Sequence, residues 1–195
     1  MQARTVTEQA RRKQIVDAAI ETIAEIGYTK ASFARIAERA GLSSTGLISY
    51  HFANKGELIE QAALSVISEI GAFVHVRVTA AATAPERLRA YILGTTEFIG
   101  THRRQMRALL DIFLNGGLSY DGSDEQQVLS PIEQLLTDGQ NSGDFRDFDV
   151  RVMATAIQRA VDGLPLLLQA HPDVDAAGYG EELATLFDLA TRTAR

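Results

Sequence analysis

Apolar residues recur at intervals of three and four along nearly the whole chain, and no stretch alternates in the two-residue rhythm of a half-buried strand. With only 4 prolines in 195 residues, little interrupts long helices. The spacing therefore predicts an all-α protein. The first stripe, Ile15, Ala19, Ile23 and Ile26, stops at Gly27, a residue suited to a left-handed C-cap. Ser32 is placed to cap a short helix with Phe33, Ile36, Ala37 and Ala40 inward, closed by Gly41. A third short helix is expected from Ser44 to about His51. Asn54 with Glu57 approaches a capping box, with Phe52 and Leu58 as a hydrophobic staple, and opens a fourth helix running to about Thr79. Further helices are expected at about 84–99 (Pro85 in its first turn), 105–114, 124–141, 149–170 and 176–193, with Asn115 to Ser123 as the clearest loop. Pro165 is expected to kink the 149–170 helix.

Composition narrows the function classes. An apolar fraction of 46% with 23% charged residues excludes intrinsic disorder. The longest apolar run, Leu164 to Leu168, is far short of a bilayer span, and the polar start does not suggest a secretory leader. The expectation is a cytoplasmic protein without membrane contact. The absence of cysteine removes thiolate chemistry and cysteine-bound zinc. His51, His75, His102 and His171 are scattered without a metal-ligand spacing, and there is neither a phosphate loop nor a nucleophile elbow. No catalytic residue, cofactor or metal is expected. The net charge of −6 is unevenly shared. Residues 1–60 carry eight Lys and Arg against seven acids, +1, and residues 61–195 carry eleven against eighteen, −7. A near-neutral head on an acidic body can still approach phosphate.

The informative window is Ser32 to Phe52, SFARIAERAGLSSTGLISYHF. Two short helices joined at Ala40-Gly41-Leu42-Ser43 fit a helix-turn-helix: Ala37 is small enough for a close crossing, Gly41 permits positive φ, and Ile36, Ala40, Leu42 and Leu47 fill the wedge. The second helix then presents Ser44, Thr45, Ser49 and Tyr50 outward, suited to base edges or phosphates in a major groove. A plain helical hairpin would show the same glycine turn. Against it stands the lack of any acidic residue between Ala40 and Glu57 in so acidic a chain.

From about Arg11 to Leu64 the sequence resembles the N-terminal DNA-binding domain of the TetR family of bacterial transcriptional regulators. The resemblance rests on the first helix ending in Gly27-Tyr28, the run Ile36-Ala37-Glu38-Arg39-Ala40-Gly41-Leu42-Ser43, and the exit Tyr50-His51-Phe52-Ala53-Asn54-Lys55-Gly56-Glu57-Leu58. Ser49 departs from the tyrosine common there. Thr45-Gly46-Leu47-Ile48-Ser49 is similar to the subgroup containing the choline-responsive betaine-pathway repressor, a likeness confined to the reading head and implying no ligand.

The resemblance implies a helix-turn-helix domain over 1–54, joined by a long helix from about 55 to a helical regulatory and dimerisation domain over 55–195. The implied function is a ligand-responsive repressor binding a near-palindromic double-stranded operator as a homodimer. The alternatives are an all-helical small-molecule enzyme and a non-specific architectural DNA-binding protein. DNA contacts are expected from Ser32, Ser43, Ser44, Thr45, Gly46, Ser49, Tyr50, His51 and Lys55. Lys55 also reads as a solvated charge, Ser32 as a cap alone, and His51 as a packed side chain. Arg4, Arg11 and Arg12 suggest an N-terminal arm. In the body, an effector pocket is expected among Phe98, His102, Met106, Arg107, Leu109, Leu110, Phe113 and Arg159, residues that core packing would also explain. The stripes Ile157, Val161, Leu164, Leu168 and Leu183, Leu186, Phe187, Ala190 look too full for one domain to hide and suggest a four-helix dimer interface.

Overall fold

The computed structural model describes residues 6–118 and 122–193. The described residues are helical, with no strand and only one isolated bridge, Phe145 to Arg192. Arg4 of the expected arm, and 119–121 of the expected loop, lie outside the described residues.

The helices are α1 (Val6–Ile26), α2 (Phe33–Arg39), α3 (Gly46–His51), α4 (Lys55–Ala80), α5 (Ala84–Thr101), α6 (Arg103–Leu114), α7 (Gly122–Asn141), α8 (Val150–Asp162), α9 (Leu164–Ala170) and α10 (Ala176–Thr191). Most follow the local signals. Gly27 and Gly41 take φ of +87° and +64°, so both helix ends turn through left-handed glycine. Ser32 Oγ accepts from Arg35 N and caps α2. At α4, Asn54 Oδ1 accepts from Glu57 N at 3.0 Å, while Glu57 Oε2 reaches back to Ala53 N at 2.7 Å. Thr83 and Glu86 complete a reciprocal capping box at α5. Two readings are corrected. Helix α3 begins at Gly46, with Ser44 outside it and Thr45 at its N-cap. The single helix expected at 149–170 is two, α8 and α9, parted at Gly163. Pro165 lacks an N–H and its ring clashes with the carbonyl four residues back, so a continuous ladder cannot pass.

Two compact units divide the chain. The first takes residues 1–68 and 103–119, the second 69–102 and 120–195. The division differs from the expected boundary at residue 54, because the start of α4 and all of α6 belong with the head. Helix α6 packs on α1. Its Asp111 carboxylate accepts from Tyr28 N–H just past the end of α1, and Arg104 pairs with Glu21 at 2.6 Å. The interior of the first unit is supplied by Ile15, Ala19 and Ile23, by Ile36 and Ala37, by Ile48 and Phe52, by Leu58, Ile59 and Ala62, and by Ala108 and Ile112. Helix α4 is long and apolar enough to cross a membrane by length and composition alone. It carries no long unbroken apolar run, because its few charged residues are spread along it. Its first half buries Leu58, Ile59, Ala62, Ala63 and Val66, while Leu64, Ile67 and Val76 are exposed.

In the second unit the core draws Ala84, Leu88 and Ile92 from α5, Leu129, Ile132 and Leu136 from α7, Ala154, Ile157 and Val161 from α8, and Ala184 and Phe187 from α10, closed by Phe145. Helices α5 and α10 approach closely at Gly180, where a Cβ would come within 2.2 Å of Thr96 Oγ1. A polar chain runs outward from this core to the exposed Asp162. Tyr91 Oη donates to Gln158 Oε1 at 2.7 Å, and Gln158 Nε2 donates to Asp162 Oδ1 at 2.8 Å. Burial, with the Asp162 charge second, pushes the Tyr91 hydroxyl pKa well above the usual tyrosine range.

Candidate nucleic-acid interface

Helix α3 has six residues and too few hydrogen bonds to persist alone, so side-chain anchors must hold it. Ile48 is 0% exposed and Phe52, its C-cap, 1%. With those two inward, Ser43, Ser44, Thr45, Gly46, Ser49 and Tyr50 are exposed, Tyr50 at 77%. These are the residues expected on the reading face, and they are exposed on either side of the buried Ile48. Ser49 Oγ lies 3.4 Å from Thr45 O and so partly bonds back to its own helix. Leu47, expected in the wedge, is 38% exposed. Ile48 is the buried residue of α3 instead.

His51 is half-buried, with its ring edge-on to Tyr50 at 5.0 Å. Ser32 is exposed, but its hydroxyl already caps α2. Lys55, half-buried, donates from Nζ to Tyr28 O at 3.0 Å and lies 4.8 Å from the Tyr28 ring centre. An ammonium carries three donors, so one bond to a carbonyl leaves two for other acceptors. Lys30 and Arg35, both exposed, flank Ser32 in the chain and add positive charge that the sequence reading did not single out. The signal for them was the basic content of the head.

The expected arm is corrected at Arg12. Its side chain is only 16% exposed. It donates to His51 O at 2.6 Å, lies 4.1 Å from the Phe52 ring centre and reaches Glu57 Oε1 at 3.5 Å. Arg11 is exposed and donates to Gln14 Oε1 at 2.8 Å.

The remaining expected sites separate. Phe98 and His102 belong to the second unit, stacked with ring centres 4.0 Å apart, while Met106, Arg107, Leu109, Leu110 and Phe113 belong to the first. Phe98 and Met106 are buried, Arg107 and Phe113 exposed. Arg159 is exposed and paired with Asp162 at 3.0 Å. The expected dimer stripe is mostly interior: Ile157, Val161 and Leu164 are 0% exposed, and Phe187 and Leu168 are 5% and 7%. Helices α5 and α7 already cover Ile157, Val161 and Phe187. Leu183 and Ala190 are half-buried, and Leu186 is exposed, as are Leu166 and Leu189, which were not expected.

The family described as bacterial regulatory proteins, tetR family, matches residues 15–62, the span from the buried part of α1 into α4. The chain is 34% identical over 105 residues to the HTH-type transcriptional regulator BetI of Cronobacter sakazakii, covering 53% of this chain and 52% of that one. It thus spans about half the length of that relative. It is 35% identical over 163 residues to BetI of Escherichia coli strain K12 / DH10B, covering 83% of this chain and 80% of that one. Among solved structures, a transcriptional regulator from Saccharomonospora viridis in complex with choline shares the fold, with a TM-score of 0.82 at 21% identity over 95% of this chain and 100% of that one. Similarity that extends from the helix-turn-helix through four-fifths of the Escherichia coli regulator places the chain: it belongs to the TetR family of bacterial regulatory proteins.

Proposed function

We propose that the chain is a ligand-responsive transcriptional repressor that binds double-stranded operator DNA as a dimer in the cytoplasm. The observation that carries the reading is the exposed segment Ser43 to Tyr50, rich in hydroxyls and free of carboxylates, held on the buried Ile48 and Phe52 anchors. Short hydroxyls and one aromatic ring suit base edges and phosphates in a major groove. Lys55, with two donors left beside Tyr28 O, supplies a phosphate contact in the first turn of α4, and Ser32 and His51 are further candidates for the DNA backbone. Leu166 of α9 with Leu186 and Leu189 of α10 gives the dimer its apolar contact, and a two-fold protein implies a near-palindromic operator. A small-molecule effector acts on the helical body, a reading supported by the choline complex of the Saccharomonospora regulator. Relatives that are regulators favour this over the enzyme reading.

The test is a salt-dependent gel shift on DNA from upstream of the chain's own coding sequence, with random duplex as competitor. Selective retention is expected. Thr45→Ala and Tyr50→Ala should weaken cognate binding, and Lys55→Ala should flatten the salt dependence by about 0.9 for the single phosphate that the ammonium neutralises. Equal loss on both duplexes would support the architectural reading, and no binding to either would refute DNA recognition. An effector must alter operator affinity by the same factor by which the operator alters its own.

A further inference from the structure

We infer that Arg12 and Gln14 of α1 are positioning residues that clamp α3 at its exit and its approach, and thereby set operator specificity without touching DNA. The specificity part rests on the DNA-binding reading above. A six-residue helix ends in orphan carbonyls almost at once, and its orientation depends on what satisfies them. At the exit, the Arg12 guanidinium donates to the carbonyl of His51, the last residue of α3. The same group lies over the Phe52 ring and pairs with Glu57, whose other oxygen accepts from Ala53 N. One planar fork thus ties the end of α3, its buried C-cap and the first turn of α4 to α1. At the approach, Gln14 Nε2 donates to Ala40 O at 2.6 Å, the C-cap residue of α2 and the start of the turn into α3. Arg11 holds the Gln14 amide by its oxygen, which directs its NH2 group to that carbonyl.

The chemistry makes Arg12 hard to replace. Lysine keeps the positive charge but has no plane to lie on Phe52 while donating to two acceptors at once. Side chains that read bases must be placed to within a fraction of an ångström of their partners. A slackened clamp should therefore cost discrimination before it costs charge attraction.

The experiment uses the full chain with three variants, Arg12→Met, Arg12→Lys and Gln14→Ala, and two readouts. The first is native-state hydrogen exchange in the absence of DNA. Arg12→Met should speed exchange of the Phe52 amide, which bonds to Ile48 O at 2.9 Å, while α1 amides around Ile20 keep their protection. The second is affinity for upstream and random duplex across a salt series. Arg12→Met and Arg12→Lys should each lose about tenfold in cognate affinity, the worth of one charged hydrogen bond, with random-duplex affinity and salt slope unchanged. Gln14→Ala, at an exposed position and so safe for folding, should move both readouts in the same direction by less. Unchanged exchange at Phe52 in Arg12→Met overturns the clamp. Full cognate affinity in Arg12→Lys, or a salt slope lowered by the worth of about one phosphate in Arg12→Met, overturns it in favour of a direct phosphate contact. A wild-type chain that does not discriminate upstream from random duplex overturns the DNA reading and the specificity claim with it, while the exchange arm still decides the clamp.

Discussion

Gly41 is the hinge of the helix-turn-helix, and its replacement by alanine isolates one energetic cause. Its φ is +64°, in the left-handed region, and a Cβ built there meets no heavy atom within 4 Å. The substitution therefore adds no clash and takes no packing away. What remains is the intrinsic cost of holding an L-residue in that backbone geometry, about 1–2 kcal/mol. Gly143, at φ +80° with equally open surroundings, lies in the other unit and offers an internal control. Gly41→Ala and Gly143→Ala should then lose comparable stability in urea unfolding followed by circular dichroism, each about 1–2 kcal/mol. Gly41→Asn should recover part of the loss, because asparagine tolerates the left-handed region. Only the Gly41 variants should also weaken cognate DNA binding. A Gly41→Ala chain as stable as the wild type would refute the turn geometry. A loss several times larger would show that the site is crowded after all.

Five further substitutions, grouped in three tests, bear on other parts of the molecule. Hydrogen bonds from Thr83 and Ala82 hold the Glu86 carboxyl below its ordinary pKa, so folding lowers that pKa and the stabilisation is present above the unfolded value. It is lost as pH falls through the folded value, and Glu86→Gln should flatten that acid limb in stability measured across pH. Gln158→Leu should cost about 1–3 kcal/mol by leaving the Tyr91 hydroxyl without its acceptor, and Tyr91→Phe in the same chain should return part of it in a double-mutant cycle. Leu189→Asp, at a position 54% exposed, should leave a folded monomer in sedimentation at micromolar concentration, whereas Phe187→Asp, 5% exposed, should unfold the second unit. A dimeric Leu189→Asp chain would move the interface away from α10.

The parts legible in the sequence are those decided within a few residues of chain. Gly27 and Gly41 announced their left-handed turns, Ser32 and Asn54 their caps, and the carboxylate-free run from Gly41 to Gly56 the exposed segment that carries α3. Periodicity identifies an apolar face but not what covers it, which is why Ile157, Val161 and Phe187 suggested a dimer seam and lie in the core. The Arg12 to His51 and Lys55 to Tyr28 bonds join positions 39 and 27 residues apart, and no spacing rule reports such pairs. The assignment of α6 to the head rests on its packing against α1, equally invisible to local patterns.

Tyr28 stands where three distant segments meet: its N–H is held by Asp111, its carbonyl by Lys55, and its ring crowds Gly117, where a Cβ would fall 2.5 Å from Cε2. A residue larger than glycine at position 117 therefore requires the Tyr28 ring to shift, and that ring lies 4.8 Å from the Lys55 ammonium. A side chain added in the loop after α6 would thus press on a ring that neighbours a basic group at the start of α4, 62 positions earlier in the chain. Through Tyr28, a residue of that loop and a residue of α4 share one set of neighbours although they lie far apart in the chain.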